Sequence, residues 1–370
     1  MRSHLWRRTC RATLLRTTLA LTLTAAATAA LGAPAQAASE VQSANVLDLP
    51  ITFQVVNRNT TGIPCAPDPD GKTYTVHGSL VAPKDLVRET SPAATMYLHG
   101  LGYGGFFFHL KEIPEYDYAR EQAAQGHVSV VIDRLGNPAQ DDLQDGNATC
   151  LPAQADMADQ IADALRAGTY TLKGTKPKFS RVVLAGHSAG GLIAEITQAI
   201  FHSADALAVI GYTHYPSPLA RQQFFAAGQD CLSAPQDAHG SSGAPNYAPF
   251  GRTDEDFAAG HFYDVEPAVA EIVLRKHNLD PCGDLMSGLQ GLLSTQFASM
   301  LVDVPALLIT GEKDALFPPP FNQVETQTAW FGANRFGSVM IPGTGHAMTF
   351  GRTHEEFRSL MAQWLATVGA

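Results

Sequence analysis

The apolar positions of this 370-residue chain fall into short runs separated by turn residues. Six of them, at 93–98, 127–132, 181–185, 206–211, 305–310 and 338–341, are nearly continuous and rich in Val, Ile, Leu and Ala. They predict strands, those at 127–132 and 181–185 buried. Runs at 51–57 and 73–82 predict an antiparallel pair, joined by a turn-rich segment at 60–71 and preceded by a leader at 39–49. Helical spacing lies between the strands, at 116–125 (stopped by Gly126), 154–165, 192–201, 326–331 and 355–368. In the second of these, Met157, Ile161 and Leu165 share one face. From about residue 93 onward strand and helix alternate, which predicts a mostly parallel sheet with helices on both faces. One stretch breaks the alternation. Residues 217–301 are rich in Gly, Pro, Ser and Ala, with helix-like pieces at 218–225, 265–277 and 285–300. So long a segment between two strands reads as an inserted, mainly helical cap, with 38–216 and 302–370 as the body.

Composition narrows the class. With 45% hydrophobic and 16% charged residues, the chain suits one large globular domain or one domain with an insertion. A net charge of −10 without a basic stripe argues against a nucleic-acid partner. The first 37 residues are a separate matter. Arg2, Arg7, Arg8, Arg11 and Arg16 stand there without an acid, residues 19–31 are apolar and Ala-rich, and Ala35-Gln36-Ala37 forms an A-x-A site. These are the three regions of a secretory signal peptide, and the apolar core is too short to span a bilayer comfortably. The expectation is an exported, extracellular protein cleaved near Ala37, without an integral membrane segment in its mature form. Cysteine usage agrees. Cys10 leaves with the signal; Cys65, Cys150, Cys231 and Cys282 remain, an even number for an oxidising compartment. Of three possible pairings, Cys65–Cys150 with Cys231–Cys282 is preferred, since each would tie down loop regions. No C-x-x-C spacing suggests zinc, and no metal is expected.

The run at 181–185 leads straight into Gly186-His187-Ser188-Ala189-Gly190, and an apolar helical stretch follows. Strand, G-x-S-x-G and helix in that order put a serine on a sharp, strained turn with its hydroxyl above a sheet. Such a turn has no room for a Cβ two residues to either side, which suits Gly186 and Gly190. The helix that starts there aims N–H groups and a positive dipole end at a developing oxyanion. A serine nucleophile needs a general base, and the base needs an orienting acid. In a parallel sheet both belong at carboxyl ends of strands. Asp314 follows the run at 305–310, in Gly311-Glu312-Lys313-Asp314; His346 follows 338–341, in Gly343-Thr344-Gly345-His346. Ser188, Asp314 and His346 are therefore the candidate catalytic residues. His99-Gly100-Leu101-Gly102 closes the strand at 93–98, and the backbone N–H groups of Leu101 and Ala189 are the candidate oxyanion donors.

These four motifs together resemble the α/β-hydrolase superfamily over nearly all of the chain beyond the signal. The resemblance implies an eight-stranded, mostly parallel sheet and a Ser-Asp-His triad that works without a cofactor. Asp133-Arg134-Leu135-Gly136 also resembles the family's fourth-strand exit. The function expected is that of a secreted carboxylic ester hydrolase acting on a small-molecule or lipid-like ester through an acyl-enzyme. A lactonase, a peptidase or a cofactor-free perhydrolase would use the same triad, and a non-catalytic binding protein would not need it. Dehalogenase and epoxide hydrolase chemistry is disfavoured, because their nucleophile in this fold is an aspartate. For substrate contacts, Phe106 and Phe107 are candidates in an acyl pocket, and His214 and Tyr215 are candidates beside the cap. His187 reads as a packing or hydrogen-bonding residue, and Asp133 and Asp156 as loop or helix-face residues. Apolar cap residues, among them Phe224, Phe225, Val269, Ile272, Leu285, Leu289 and Leu292, are the expected wall over an acyl chain.

Overall fold

The structure, a computed structural model, describes residues 45–137, 143, 145–238, 243–318 and 336–370. The signal segment and the helix expected at 326–331 lie outside these residues. The strands are β1 (Val46–Val56), β2 (Thr73–Pro83), β3 (Thr90–Leu98), β4 (Ser129–Ile132), β5 (Thr171–Leu172), β6 (Lys178–His187), β7 (Ala206–Ile210), β8 (Tyr247–Pro249), β9 (Leu279–Pro281), β10 (Ala306–Gly311) and β11 (Phe336–Ile341). The helices are α1 (Tyr118–Ala124), α2 (Leu151–Ala167), α3 (Ala189–Phe201), α4 (Pro218–Ser233), α5 (Asp254–His261), α6 (Pro267–Arg275), α7 (Cys282–Ala298) and α8 (His354–Thr367).

Nine strands form one sheet in the order β11-β10-β7-β6-β3-β4-β2-β1-β5. From β11 to β4 all neighbours run parallel, and β2, β1 and β5 complete one edge in antiparallel pairing. All eight predicted strands are present. The ninth, β5, is a two-residue piece paired with Ile51 and Thr52, too short to carry a period. β1 begins within the expected leader, because its register with β2 extends back to Val46 opposite Pro83.

Strand alternation builds two cores. Val182 and Leu184 of β6 face one side of the sheet, and Val183 and Ala185 the other; Leu308 and Ile309 of β10 divide likewise. The first side is covered by α2 and α3, with Met157, Ile161, Leu165, Ile193 and Ile196 buried. The second is covered by α1 and α8, through Tyr118, Phe357, Met361 and Leu365. Burial of each such side chain stabilises the fold by about 1.5–3 kcal/mol.

The segment after β7 is less uniform than expected. It contributes α4 to α7, but also β8 and β9, which pair antiparallel with Ala248 opposite Asp280. Its last helix, α7, is anchored to the body. Ser287 Oγ accepts the Leu151 N–H at 3.0 Å, and the Thr295 and Tyr212 hydroxyls meet at 2.7 Å. The preferred disulfides are the ones formed, with Cα separations of 6.1 Å for Cys65–Cys150 and 5.5 Å for Cys231–Cys282. The second joins α4 to the first residue of α7. No helix among the described residues is long and apolar enough to cross a membrane.

Candidate active site

Ser188 stands between β6 and α3 with φ 54° and ψ −121°, a backbone conformation rarely adopted by residues other than glycine. Its environment explains the glycines around it. A Cβ on Gly190 would lie 2.1 Å from the Leu98 carbonyl oxygen, and one on Gly186 would lie 2.0 Å from the Gly190 carbonyl oxygen. The turn is held from the neighbouring strand, as Ser188 N–H donates to the Ile210 carbonyl at 2.8 Å. Ala189 is the first residue of α3, so its N–H has no acceptor within the helix.

Asp314 and His346 end two neighbouring strands, and the structure brings them together. His346 Nδ1 lies 2.8 Å from Asp314 Oδ2, and both side chains are fully buried. The other carboxylate oxygen accepts the backbone N–H groups of Leu316 at 2.9 Å and Phe317 at 2.8 Å. With that carboxylate as acceptor, Nδ1 carries the proton and Nε2 is left as the lone-pair nitrogen. Nε2 is buried without a hydrogen-bond partner among the described residues. Phe317 stacks on the His346 ring and lines the same cavity as Ser188.

That cavity measures about 490 Å³. Ser188 and Ala189 are among its lining residues. One wall is α4, through Phe224, Phe225 and Leu232, and the other is α7, through Leu285, Leu289 and Leu292. Beyond the serine its polar members are Arg221, Gln229 and Tyr212, whose hydroxyl is engaged by Thr295. Phe225, Leu232 and Leu289 are each about two-thirds exposed or more, at 68%, 77% and 66%, so the apolar lining continues to the outer surface. Val269 and Ile272 are not in the lining; they pack on the other core from α6.

The turn at 99–102 passes against Ser188. A Cβ on Gly100 would come within 2.8 Å of Ser188 Cβ. This close approach is what a donor near the serine requires, and Leu101 follows directly.

Residues 97–360 match the sequence pattern of the alpha/beta hydrolase family. The chain belongs to that family. No curated protein matches it by sequence. Among solved structures it is similar to a thermophilic esterase from Thermogutta terrifontis, at 16% identity and a TM-score of 0.57, covering 86% of this chain and 100% of that one. It is similar to a monoacylglycerol lipase from Paleococcus ferrophilus, at 14% identity and a TM-score of 0.57, covering 79% and 99%. A carboxylesterase from Bacillus subtilis aligns at 14% identity and a TM-score of 0.54, covering 90% and 96%. At such identities the likeness is one of fold.

In this alpha/beta hydrolase several other candidates stand away from the serine. Phe107 is fully buried and stacks on His187 with ring centroids 3.9 Å apart. Phe106 lines a separate cavity of about 400 Å³ with His109, Asp133 and Lys276. Neither belongs to the lining around Ser188, because the turn after Gly102 carries them to the opposite face of the sheet, into the second core. His214 is buried with Glu195, its Nε2 3.3 Å from both carboxylate oxygens and 3.1 Å from Ser299 Oγ. Together with Tyr215 it lines a cavity that adjoins the main one and shares Pro216, Arg221 and Leu292 with it. His187 does both things expected of it, packing on Phe107 and donating from Nε2 to the His346 carbonyl at 3.0 Å. Asp156 accepts from Thr60 N–H at 2.9 Å and from Arg58, and Asp133 accepts from Gly105 N–H at 2.6 Å; neither approaches His346.

Two features do not show in the sequence pattern. His261, at the end of α5, sets its ring edge-on to His346 with centroids 5.0 Å apart, and its Nδ1 meets the Tyr103 hydroxyl at 2.8 Å. Burial, with His346 nearby, holds its pKa well below the usual histidine value. Arg134, on the fourth-strand exit, forms a buried ion pair with Asp284 of α7 at 2.7 Å. A basic residue within the Asp133–Gly136 motif and an acid in an apolar helix were the available signals, though neither names the other as partner. Among the described residues no cluster of three or more His, Cys, Asp or Glu is arranged to hold a metal ion.

Proposed function

We propose that this protein is an exported serine hydrolase that cleaves carboxylic esters with an apolar acyl or alkyl part. In this reading Ser188 is the nucleophile, His346 the general base and Asp314 the group that holds its tautomer. His346 Nε2 takes the Ser188 proton as Oγ attacks the ester carbonyl, and the Leu101 and Ala189 N–H groups stabilise the oxyanion. His346 then protonates the departing alcohol, and water repeats the sequence on the acyl-enzyme. The observation that carries the reading is that Ser188 lines a cavity of about 490 Å³ whose lining is otherwise largely apolar. Such a lining suits a hydrocarbon chain and offers a peptide backbone little to bond, which favours an ester over an amide substrate. Residues 217–301 are the proposed cap, since α4 and α7 supply both walls. Residues 1–37 are the proposed signal peptide, and two disulfides are compatible with export.

The test is steady-state hydrolysis of a p-nitrophenyl ester series by the wild type and Ser188→Ala, with phosphonate labelling of both. Ser188→Ala should lose about 10⁴-fold or more in kcat and should not label. Hydrolysis above a tenth of the wild-type rate would remove Ser188 from the role.

A further inference from the structure

The backbone from His99 to Gly104 is held peptide by peptide. Each peptide is a rigid plane, so a hydrogen bond to its C=O or N–H fixes the whole unit, leaving only the torsions between units. The 99–100 plane is held through the His99 carbonyl, which accepts Arg134 Nε–H at 3.1 Å. The 100–101 plane is held through the Gly100 carbonyl, which accepts from His99 Nδ1 at 2.8 Å. The tautomer this requires is set on the other side of the ring, where Nε2 accepts the Arg134 N–H at 3.1 Å. The 101–102 plane is held through Gly102 N–H, which donates to Asp280 Oδ2 at 2.7 Å. The 102–103 plane is held through the Gly102 carbonyl, which accepts Asn278 N–H at 3.0 Å. Asn137 Nδ2 donates to the Tyr103 carbonyl at 2.9 Å and holds the next.

Two of these five restraints come from residues 278–280 of the insertion, and both fall on Gly102. Gly102 has φ +73°, so it is the point at which the chain turns away after Leu101. Asp280 is well placed to hold it. Its backbone is paired with Ala248 in the β8–β9 ribbon, and its side chain is buried.

We propose that Asp280 is a positioning residue for the oxyanion hole: by binding Gly102 N–H it fixes the plane next to the Leu101 donor, so that the insertion is part of the catalytic frame as well as the wall of the substrate cavity. The inference rests on the esterase reading of Ser188 and Leu101. An aspartate beside an oxyanion hole would oppose the developing negative charge if it were ionised. Burial pushes the Asp280 carboxyl up to about 8, against the lowering effect of Arg134, with Asp284 also facing it. At neutral pH the group is therefore mostly the neutral acid, and it accepts the Gly102 hydrogen bond without a net charge.

The experiment compares kcat and KM for one short-chain p-nitrophenyl ester in the mature wild type, Asp280→Asn, Asp280→Leu and Ser188→Ala, each checked for its melting temperature. Asparagine keeps an acceptor for Gly102 N–H and leucine does not. Asp280→Leu should lower kcat tenfold or more, in the direction of the ~10²–10³-fold loss for removing an oxyanion donor, with KM changed less than about threefold. Asp280→Asn should stay within about threefold of the wild type. If Asp280→Leu does not fold, Asp280→Ala takes its place in the same comparison. A kcat within about twofold of the wild type without the acceptor, or an equal loss in the Asn variant, would overturn the role of Asp280. An active Ser188→Ala would instead overturn the esterase reading beneath it.

Discussion

The Cys231–Cys282 bond closes a loop of 51 residues and ties together the two helices that wall the cavity. Cys65–Cys150 closes a loop of 85 residues and touches the cavity only through Leu151, the neighbour of Cys150. Chain entropy alone predicts that losing the first costs about 4 kcal/mol and losing the second about 4.6 kcal/mol. For a chain of this size, a destabilisation of about 4 kcal/mol lowers the melting temperature by roughly 5–6 °C. The two double alanine variants should therefore melt at similar temperatures, both well below the wild type. Their activities should differ. Without Cys231–Cys282, α4 is free to shift against α7, and the packing of Phe225 and Leu232 on a long acyl chain weakens first. Each methylene of the substrate that no longer packs in such a pocket is worth about 1–3 kcal/mol at most. The assay is kcat/KM for butyrate and dodecanoate esters, measured well below both melting temperatures, with calorimetry on the same samples. The Cys231→Ala/Cys282→Ala variant should lose at least tenfold more on the long ester than on the short one, while the other variant keeps the wild-type ratio. Equal ratios in all three proteins would refute the idea that the α4–α7 spacing sets chain-length preference.

Two further outcomes concern stability. His99, His187 and His261 are all held well below the usual histidine pKa, each chiefly by burial, so the unfolded chain binds protons that the folded one refuses as pH falls below about 6.5. Stability is therefore lost on the acid side, by up to about 1.4 kcal/mol per pH unit for each group; Asp280, raised to about 8, acts in the opposite sense, as do the Asp133 and Asp284 carboxyls, which burial also raises. Urea unfolding at pH 7.5, 6.5 and 5.5 checks this, and a midpoint that does not fall between 6.5 and 5.5 would contradict it. Arg134→Met should cost about 3–5 kcal/mol, because it leaves the buried Asp284 carboxylate without its partner; adding Asp284→Leu should recover much of that stability. A double variant as unstable as the single one would mean that Arg134 acts mainly through its bond to the His99 carbonyl.

What the sequence determined by itself is local. The eight principal strands were legible because each writes its apolar positions into one short run between turn residues. The turn at Ser188 was legible because Gly186 and Gly190 must be glycine for reasons visible within five residues. Asp314 and His346 could be assigned to strand ends because a parallel sheet gathers those ends on one side, and the structure sets them 2.8 Å apart. Hydrophobic periodicity states which face of an element is buried and is silent on what buries it. That is why Phe106 and Phe107 were candidates for an acyl pocket, although the turn after Gly102 sends them to the other side of the sheet. The same limit hid the pairing of β8 with β9, whose three-residue strands are too short to show a period. Polar contacts across long stretches of chain leave even less trace. Asp280 reaches Gly102 across 178 residues and Arg134 reaches Asp284 across 150, and nothing near either residue marks its partner. Only the folded chain decides such pairs, because a buried donor or acceptor takes whichever complementary group the packing of distant elements sets within reach.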